Sequence, residues 1–243
     1  MLTRTILNLA CGTRTSDQCI NIDWSIYCRI RRLPCARIVA HLLCTRDQMR
    51  RYSGLVGETQ VHDLRKGIPY GDRSVDAVYH SHLLEHLDRP AARQLLREGL
   101  RVLRPNGFHR IVVPDLSRLC RRYLEDFDGC QRDRAKAYSH ERFVEAMIEQ
   151  MVRSEGAGTA RQRWLRRAIE NAVLGSATRR GEAHRWMYDE ISLAVLLEQA
   201  GFRNVRTHTY RTSDIPGWNQ IGLDTDDNGN EYKPDSCYVE AQR

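Results

Sequence analysis

No run of apolar residues in this chain approaches the length of a bilayer crossing, which argues against a membrane-spanning helix. The opening MLTRTILNLACG has too short an apolar run for a secretory signal and leads straight into what reads as a core strand, so the expected location is the cytoplasm. Paired cysteine spacing is also missing. Cys11, Cys19, Cys28, Cys35, Cys44, Cys120, Cys130 and Cys237 include no C-x-x-C, and at 243 residues the chain needs no covalent staples. They read as small buried hydrophobes of a reducing compartment. Lysine is almost absent: Lys66, Lys136 and Lys233 are the only ones, so arginine carries nearly all of the +7 net charge. That excess favours anionic partners. The clusters Arg29, Arg31, Arg32 and Arg161, Arg163, Arg166, Arg167 lack aromatic interleaving or zinc-finger spacing, which disfavours nucleic acid. Internal repeats and low-complexity tails are missing too.

What is present is an alternation of short apolar runs with helical patterns. Residues 4–10, 18–22, 58–63, 75–80 and 108–113 read as strands. Between the last two, Pro90 opens a helix whose Ala91, Leu95, Leu96, Leu100 and Leu103 recur at helical spacing, closed by the turn of residues 104–107. Asp189 is placed to cap a helix that ends at Gly201, and strands follow at 202–210 and 236–241. The pattern predicts a doubly wound α/β sheet, mostly parallel, with an antiparallel final strand. Residues 1–114 and 188–243 would form the core. Residues 115–187, charged and helical, would form an insert or lid with a stripe of Phe143, Met147, Ile148 and Met151, interrupted near 154–159 and 175–181.

In such a sheet, ligands bind beyond the carboxyl ends of the strands. The first end offers Ala10, Cys11 and Gly12, small enough for backbone to approach a ligand closely. The second offers Asp23, a carboxylate able to accept both hydrogen bonds of a ribose diol. The third offers Asp63, suited to an adenine amino group.

LNLACG, INIDW, VHDLRKGIPYGDRSVDAVYHSHLLEHL and REGLRVLRPNGFHRIVVPDL, followed by HRWMYDEISLAVLLEQAGF and LDTDDNGNEYKPDSCYVEA, together resemble class I S-adenosylmethionine (SAM)-dependent methyltransferases. The likeness is to predicted bacterial enzymes of polysaccharide or secondary-metabolite type, and it covers residues 5–115 and 184–241. It implies a Rossmann-like sheet and a SAM cofactor, with S-adenosylhomocysteine as product after methyl transfer. It also implies that Leu9, Ala10, Cys11 and Gly12 hold the methionine part. Asp23, beside Trp24, would hold the ribose and Asp63 with Leu64 the adenine, while His80, Ser81 and His82 line the cofactor. Two departures stand out. Too few residues separate Gly12 from the second strand for a crossover helix, so residues 24–57 are expected to supply cover, and the usual PGG turn is Pro105-Asn106-Gly107.

His82, Glu85 and His86 form an H-x-x-E-H pattern that a helix would place on one face. Without a nominated third ligand the pattern does not predict a metal, and a structural role competes with catalysis. As chemistry, His86 oriented by Glu85 is the expected base for an acceptor. His184, Trp186 and Tyr188 are the expected acceptor contacts, with core packing as the alternative. Asp224, Asp226, Asn228, Gly229 and Asp235 match calcium-loop spacing without flanking helices, so a turn is the preferred reading. The expected activity is methyl transfer to an oxygen or nitrogen of a small-molecule or sugar acceptor. SAM turnover by intramolecular attack on the sulfonium and non-catalytic SAM binding are the rivals. The oligomeric state stays open, a homodimer included.

Overall fold

A computed structural model describes residues 4–43, 49, 52–53, 58–133, 137–151 and 184–243. Seven strands make one sheet: β1 (Ile6–Leu9), β2 (Ile20–Asp23), β3 (Gln60–Val61), β4 (Val75–Ser81), β5 (Leu103–Pro114), β6 (Arg203–His208) and β7 (Ser236–Gln242). Their order is β3-β2-β1-β4-β5-β7-β6, parallel except for β7, which runs antiparallel to both neighbours. Central β1 is buried at every residue, as expected of a strand covered on both faces. Edge strand β6 instead carries exposed Arg203, Asn204 and Arg206, which discourage further pairing.

The face carrying Leu7, Leu9, Val78 and Ile111 packs against the helices of residues 89–102 and 190–199. Helix α1 (Ile26–Arg31) starts on the Ser25 cap, and α2 (Ala36–Leu43) follows it. Helix α3 (Arg89–Val102) starts on Asp88, whose carboxylate accepts the Ala91 N–H at 2.9 Å, and buries Ala92, Leu95, Leu96, Gly99 and Val102 as one stripe. Gly99 is required by proximity: a Cβ there would lie 2.7 Å from the His109 ring. The turn expected after α3 is instead part of β5. That strand begins at Leu103 and bulges over Arg104–Gly107, pairing Val75 with Leu103 and Ala77 with Phe108. Asn106 takes the left-handed conformation there (φ 64°), which asparagine tolerates.

The insert contributes α4 (Leu116–Arg132), capped by Asp115, and α5 (Ala137–Met151). Tyr123, Phe127 and His140 cluster between them. In the predicted stripe, Phe143 lies under the Arg122 guanidinium and Ile148 is exposed. The Met151 side chain, the expected interruptions near 154–159 and 175–181, and the Arg161–Arg167 cluster lie outside the described residues. Helix α6 (Glu190–Gln199) has the predicted Asp189 cap, completed reciprocally by Ser192, and Gly201 closes it at φ +100°.

Residues 10–19 join parallel β1 and β2 without a helix. Of residues 24–57, expected to supply cover, 44–48, 50–51 and 54–57 lie outside the described residues. Ile6, Ala77, Tyr79, Val112 and Tyr238, on the opposite face of the sheet, pack against Ile215, Trp218 and Leu223. These belong to the excursion between β6 and β7, which contains the short helix α7 (Trp218–Ile221). The 10–19 loop is tied to the same excursion. Arg14 donates to the carbonyls of Gly222 and Thr225, and Gln18 to that of Gln220.

A buried ionic network pins the excursion down. Arg110, fully buried, donates to Asp224 Oδ2 at 2.8 Å and to Glu240 Oε1 at 2.6 Å. It also donates to the carbonyls of Thr209 and Thr212. Tyr79 and Trp218 donate to the same Asp224 carboxylate. This overturns the calcium-loop spacing as a ligand set: Asp224 faces the core and is occupied by Arg110. Asp226 instead accepts the N–H groups of Asn228 and Asn230 in a turn, as the preferred reading had it.

Candidate active site at the carboxyl ends of the strands

Beyond β1 the chain turns sharply, with Ala10 at φ 50° and Gly12 at φ 53°. A Cβ on Gly12 would meet nothing within 4 Å, so its role is conformational freedom. Asp23, at the end of adjacent β2, holds this turn. Its Oδ2 accepts the Gly12 N–H at 2.8 Å, and its Oδ1 accepts the Ser25 N–H. The carboxylate thus ties the ends of β1 and β2 to the start of α1. Cys11 is buried, and burial pushes its thiol well above the usual range. Trp24 is exposed, with the Arg29 guanidinium 4.8 Å over its ring.

Asp63 follows β3. Arg65 grips it bidentately, at 2.8 Å to Oδ1 and 2.7 Å to Oδ2, and holds its carboxyl below the usual carboxylate range. Leu64 begins a short 3-10 turn that runs to Lys66 and packs on the main core. The turn is tied to α3 by Glu98, which accepts the Ile68 N–H at 2.9 Å.

At the end of β4 the predicted residues separate into two environments. His80 is sealed in the core, edge-on to His109 at 5.1 Å, and burial lowers its pKa to about 3. Its imidazole cannot line a cofactor, which corrects that expectation and leaves only its backbone available. Ser81 and His82 are partly open. The H-x-x-E-H segment does not lie on an α-helix. His82 has φ 52°, and a 3-10 turn spans Leu84–His86. The three side chains converge all the same. Oε1 of fully buried Glu85 lies 3.4 Å from His82 Nδ1 and 3.9 Å from His86 Nε2. Across from them His82 Nε2 meets Ser236 Oγ at 2.9 Å.

The expected acceptor segment meets this cluster. The carbonyl of Glu85 accepts the N–H groups of Arg185 at 2.7 Å and Trp186 at 3.2 Å, and the His184 ring is 4.7 Å from that of His86. Trp186 is 45% exposed, with the Arg89 guanidinium 4.9 Å over its ring. Tyr188 is corrected. It is fully buried within the main core, where packing, the alternative reading, is what holds it. Sequence reasoning missed Arg65, Arg89, Arg185 and Ser236. Arg65 could have been found as a cation two residues from Asp63; the others are adjacent only through the fold. A cavity of 780 Å³ is lined by Ile20 and Asn21 at the start of β2, by both residues of β3, and by Cys28, Arg31 and Arg32.

Residues 37–111 match the model of a family described as a methyltransferase domain. The match begins after the Gly12–Asp23 turn and so does not include it. No curated protein matches the chain in sequence. Solved structures similar to it include a SAM-dependent methyltransferase from Archaeoglobus fulgidus (14% identity, covering 99% of this chain and 86% of that one, TM-score 0.44). Another is from Methanosarcina mazei (16% identity, covering 99% and 92%, TM-score 0.45). A third is from Mesorhizobium loti (13% identity, covering 99% and 91%, TM-score 0.42). The strand order, with its antiparallel β7, defines a class I, Rossmann-like methyltransferase sheet. The matched segment, from α2 into β5, is similar to a methyltransferase domain and spans about a third of the chain.

Proposed function

We propose that the protein transfers a methyl group from SAM to an oxygen or nitrogen of a small-molecule or glycan-type acceptor. The observation that carries this reading is the tie between Gly12 and Asp23, which joins two neighbouring strand ends of a class I sheet at the position where a cofactor's ribose would rest. Asp23 spends one hydrogen bond per oxygen on backbone, and each carboxylate oxygen retains a lone pair for a ribose hydroxyl. The Ala10–Gly12 turn presents backbone to the methionine part, and Asp63, oriented by Arg65, faces the adenine.

SAM, when bound, supplies a methyl group already activated by its sulfonium. The chain's own task is then to orient the acceptor and take its proton. His86 is the proton acceptor in this reading, with Glu85 beside it as positioning residue. His184 and Trp186 face the acceptor, Trp186 offering an open ring for stacking on a sugar or aromatic group.

Calorimetric titration with S-adenosylhomocysteine tests the cofactor half. Wild-type protein should bind, and Asp23→Asn, which keeps shape but removes charge, should bind at least about tenfold more weakly. Folded wild-type protein that does not bind would end the proposal.

A further inference from the structure

The sequence groups His82, Glu85 and His86 and nominates no further ligand; the fold brings one to the last two. His184, ninety-eight positions further along, places its ring 4.7 Å from that of His86. One ligand atom from each of Glu85, His86 and His184 lies within 4.8 Å of the others. We infer that Glu85, His86 and His184 form a binding site for a divalent transition metal, of which zinc is the type.

Two imidazoles and one carboxylate are the donor set of catalytic zinc sites, which keep a further position open. All three residues are held by backbone. Glu85 and His86 lie on the 3-10 turn after β4, and the Glu85 carbonyl accepts the N–H groups of both Arg185 and Trp186, so the segment bearing His184 is fastened to the residue that bears the carboxylate. Tetrahedral coordination at zinc–nitrogen lengths of about 2.0–2.1 Å sets donors roughly 3.3 Å apart. Closing from 4.8 Å requires side-chain rotation of the two partly exposed histidines rather than backbone movement. His82 supports the carboxylate as well, with Nδ1 3.4 Å from Oε1 and Nε2 anchored on Ser236. Such outer partners orient metal ligands generally. The mixed nitrogen and oxygen donors suit zinc, cobalt or manganese better than the all-oxygen preference of calcium or magnesium.

Metal binding does not depend on the methyltransferase reading. One consequence does rest on it: a bound ion would turn His86 from proton acceptor into ligand and lower the pKa of a coordinated acceptor, whose proton would then leave to solvent.

The test is titration of the full chain with Zn²⁺ by calorimetry and with Co²⁺ by visible absorption. Wild-type, His86→Ala, His184→Ala and Glu85→Gln proteins are compared, with His62→Ala as a control outside the cluster. The expected result is one Zn²⁺ site, weakened at least about tenfold by His86→Ala and by His184→Ala and unchanged by His62→Ala. Co²⁺ should give the absorption of a four- or five-coordinate site. Should buried Glu85→Gln fail to fold, partly exposed His184 still decides the question. Absence of binding to wild-type protein, or equal binding by the histidine variants, overturns the site. Titration with S-adenosylhomocysteine on the same samples judges the methyltransferase reading separately.

Discussion

Arg110 on β5 stands directly opposite Glu240 on β7 and reaches past it to Asp224, so one guanidinium joins two strands and the excursion between β6 and β7. With both carboxylates buried, neither charge has water to fall back on. The trio therefore holds one arrangement rather than supplying large net stability.

Breaking it should be costly. Arg110→Met leaves the buried Asp224 and Glu240 carboxylates without their shared cation, and a loss of about 3–5 kcal/mol is expected; Asp224→Asn, which leaves Arg110 paired with Glu240, should cost less. Urea unfolding followed by fluorescence reads this directly, since Trp218 stacks 5.2 Å from the Arg110 guanidinium and should lose its native signal along with the network. A loss under about 1 kcal/mol would mean the excursion is held by other contacts.

At Gly99 the helix and β5 approach closely. Gly99→Ala should destabilise by about 1–3 kcal/mol, through contact of the new methyl with the His109 ring. In a His109→Ala background the same change should cost much less. A double-mutant cycle measures the coupling, and additive costs would reject the explanation.

His80 and His109 should make the fold acid-sensitive. Burial depresses both, His80 to about 3 from an ordinary 6.5. A group with a depressed folded pKa gives its full stabilisation above its unfolded pKa. Each neutral imidazole therefore contributes fully above about pH 6.5, and that contribution drains as pH falls, toward about 3 for His80, because only the unfolded chain binds the proton. The slope approaches about 1.4 kcal/mol per pH unit per histidine. Stability measured from pH 7 to 4 should flatten in His80→Leu, and an unchanged slope would assign acid lability elsewhere.

Asp63 offers a probe of the adenine side. Arg65→Ala releases the carboxylate without touching the core, as the arginine side chain is 71% exposed. Affinity for S-adenosylhomocysteine should fall by a few-fold if Arg65 orients Asp63. Asp63→Asn should weaken it further, and an unaltered affinity in both would move the adenine contact elsewhere.

Much of this was readable before the fold. Asp189 and Gly201 were legible because caps act locally. The strand ends with Asp23 and Asp63 were legible because a parallel sheet announces its ligand edge. His80 and Tyr188 were misplaced for one reason: a histidine or tyrosine looks the same in sequence whether it faces a cleft or a neighbouring ring, and pairing with His109 or burial against α6 is decided by partners far along the chain. The same holds for Arg110, which reads as one arginine among many until Asp224 and Glu240 close on it. The converging Glu85, His86 and His184 were half visible, as a motif whose missing member lay across the insert.

The unhelical loop between β1 and β2 bears on how the chain comes to be folded during synthesis. The first strands emerge with one face bare, and the residues that roof them, Ile215, Trp218 and Leu223, come roughly two hundred positions later. A nascent chain halted before residue 210 would thus expose Ile6, Ala77, Tyr79 and Val112 to water or to a chaperone. The half of the domain bearing the Gly12–Asp23 turn would be the last to be sealed.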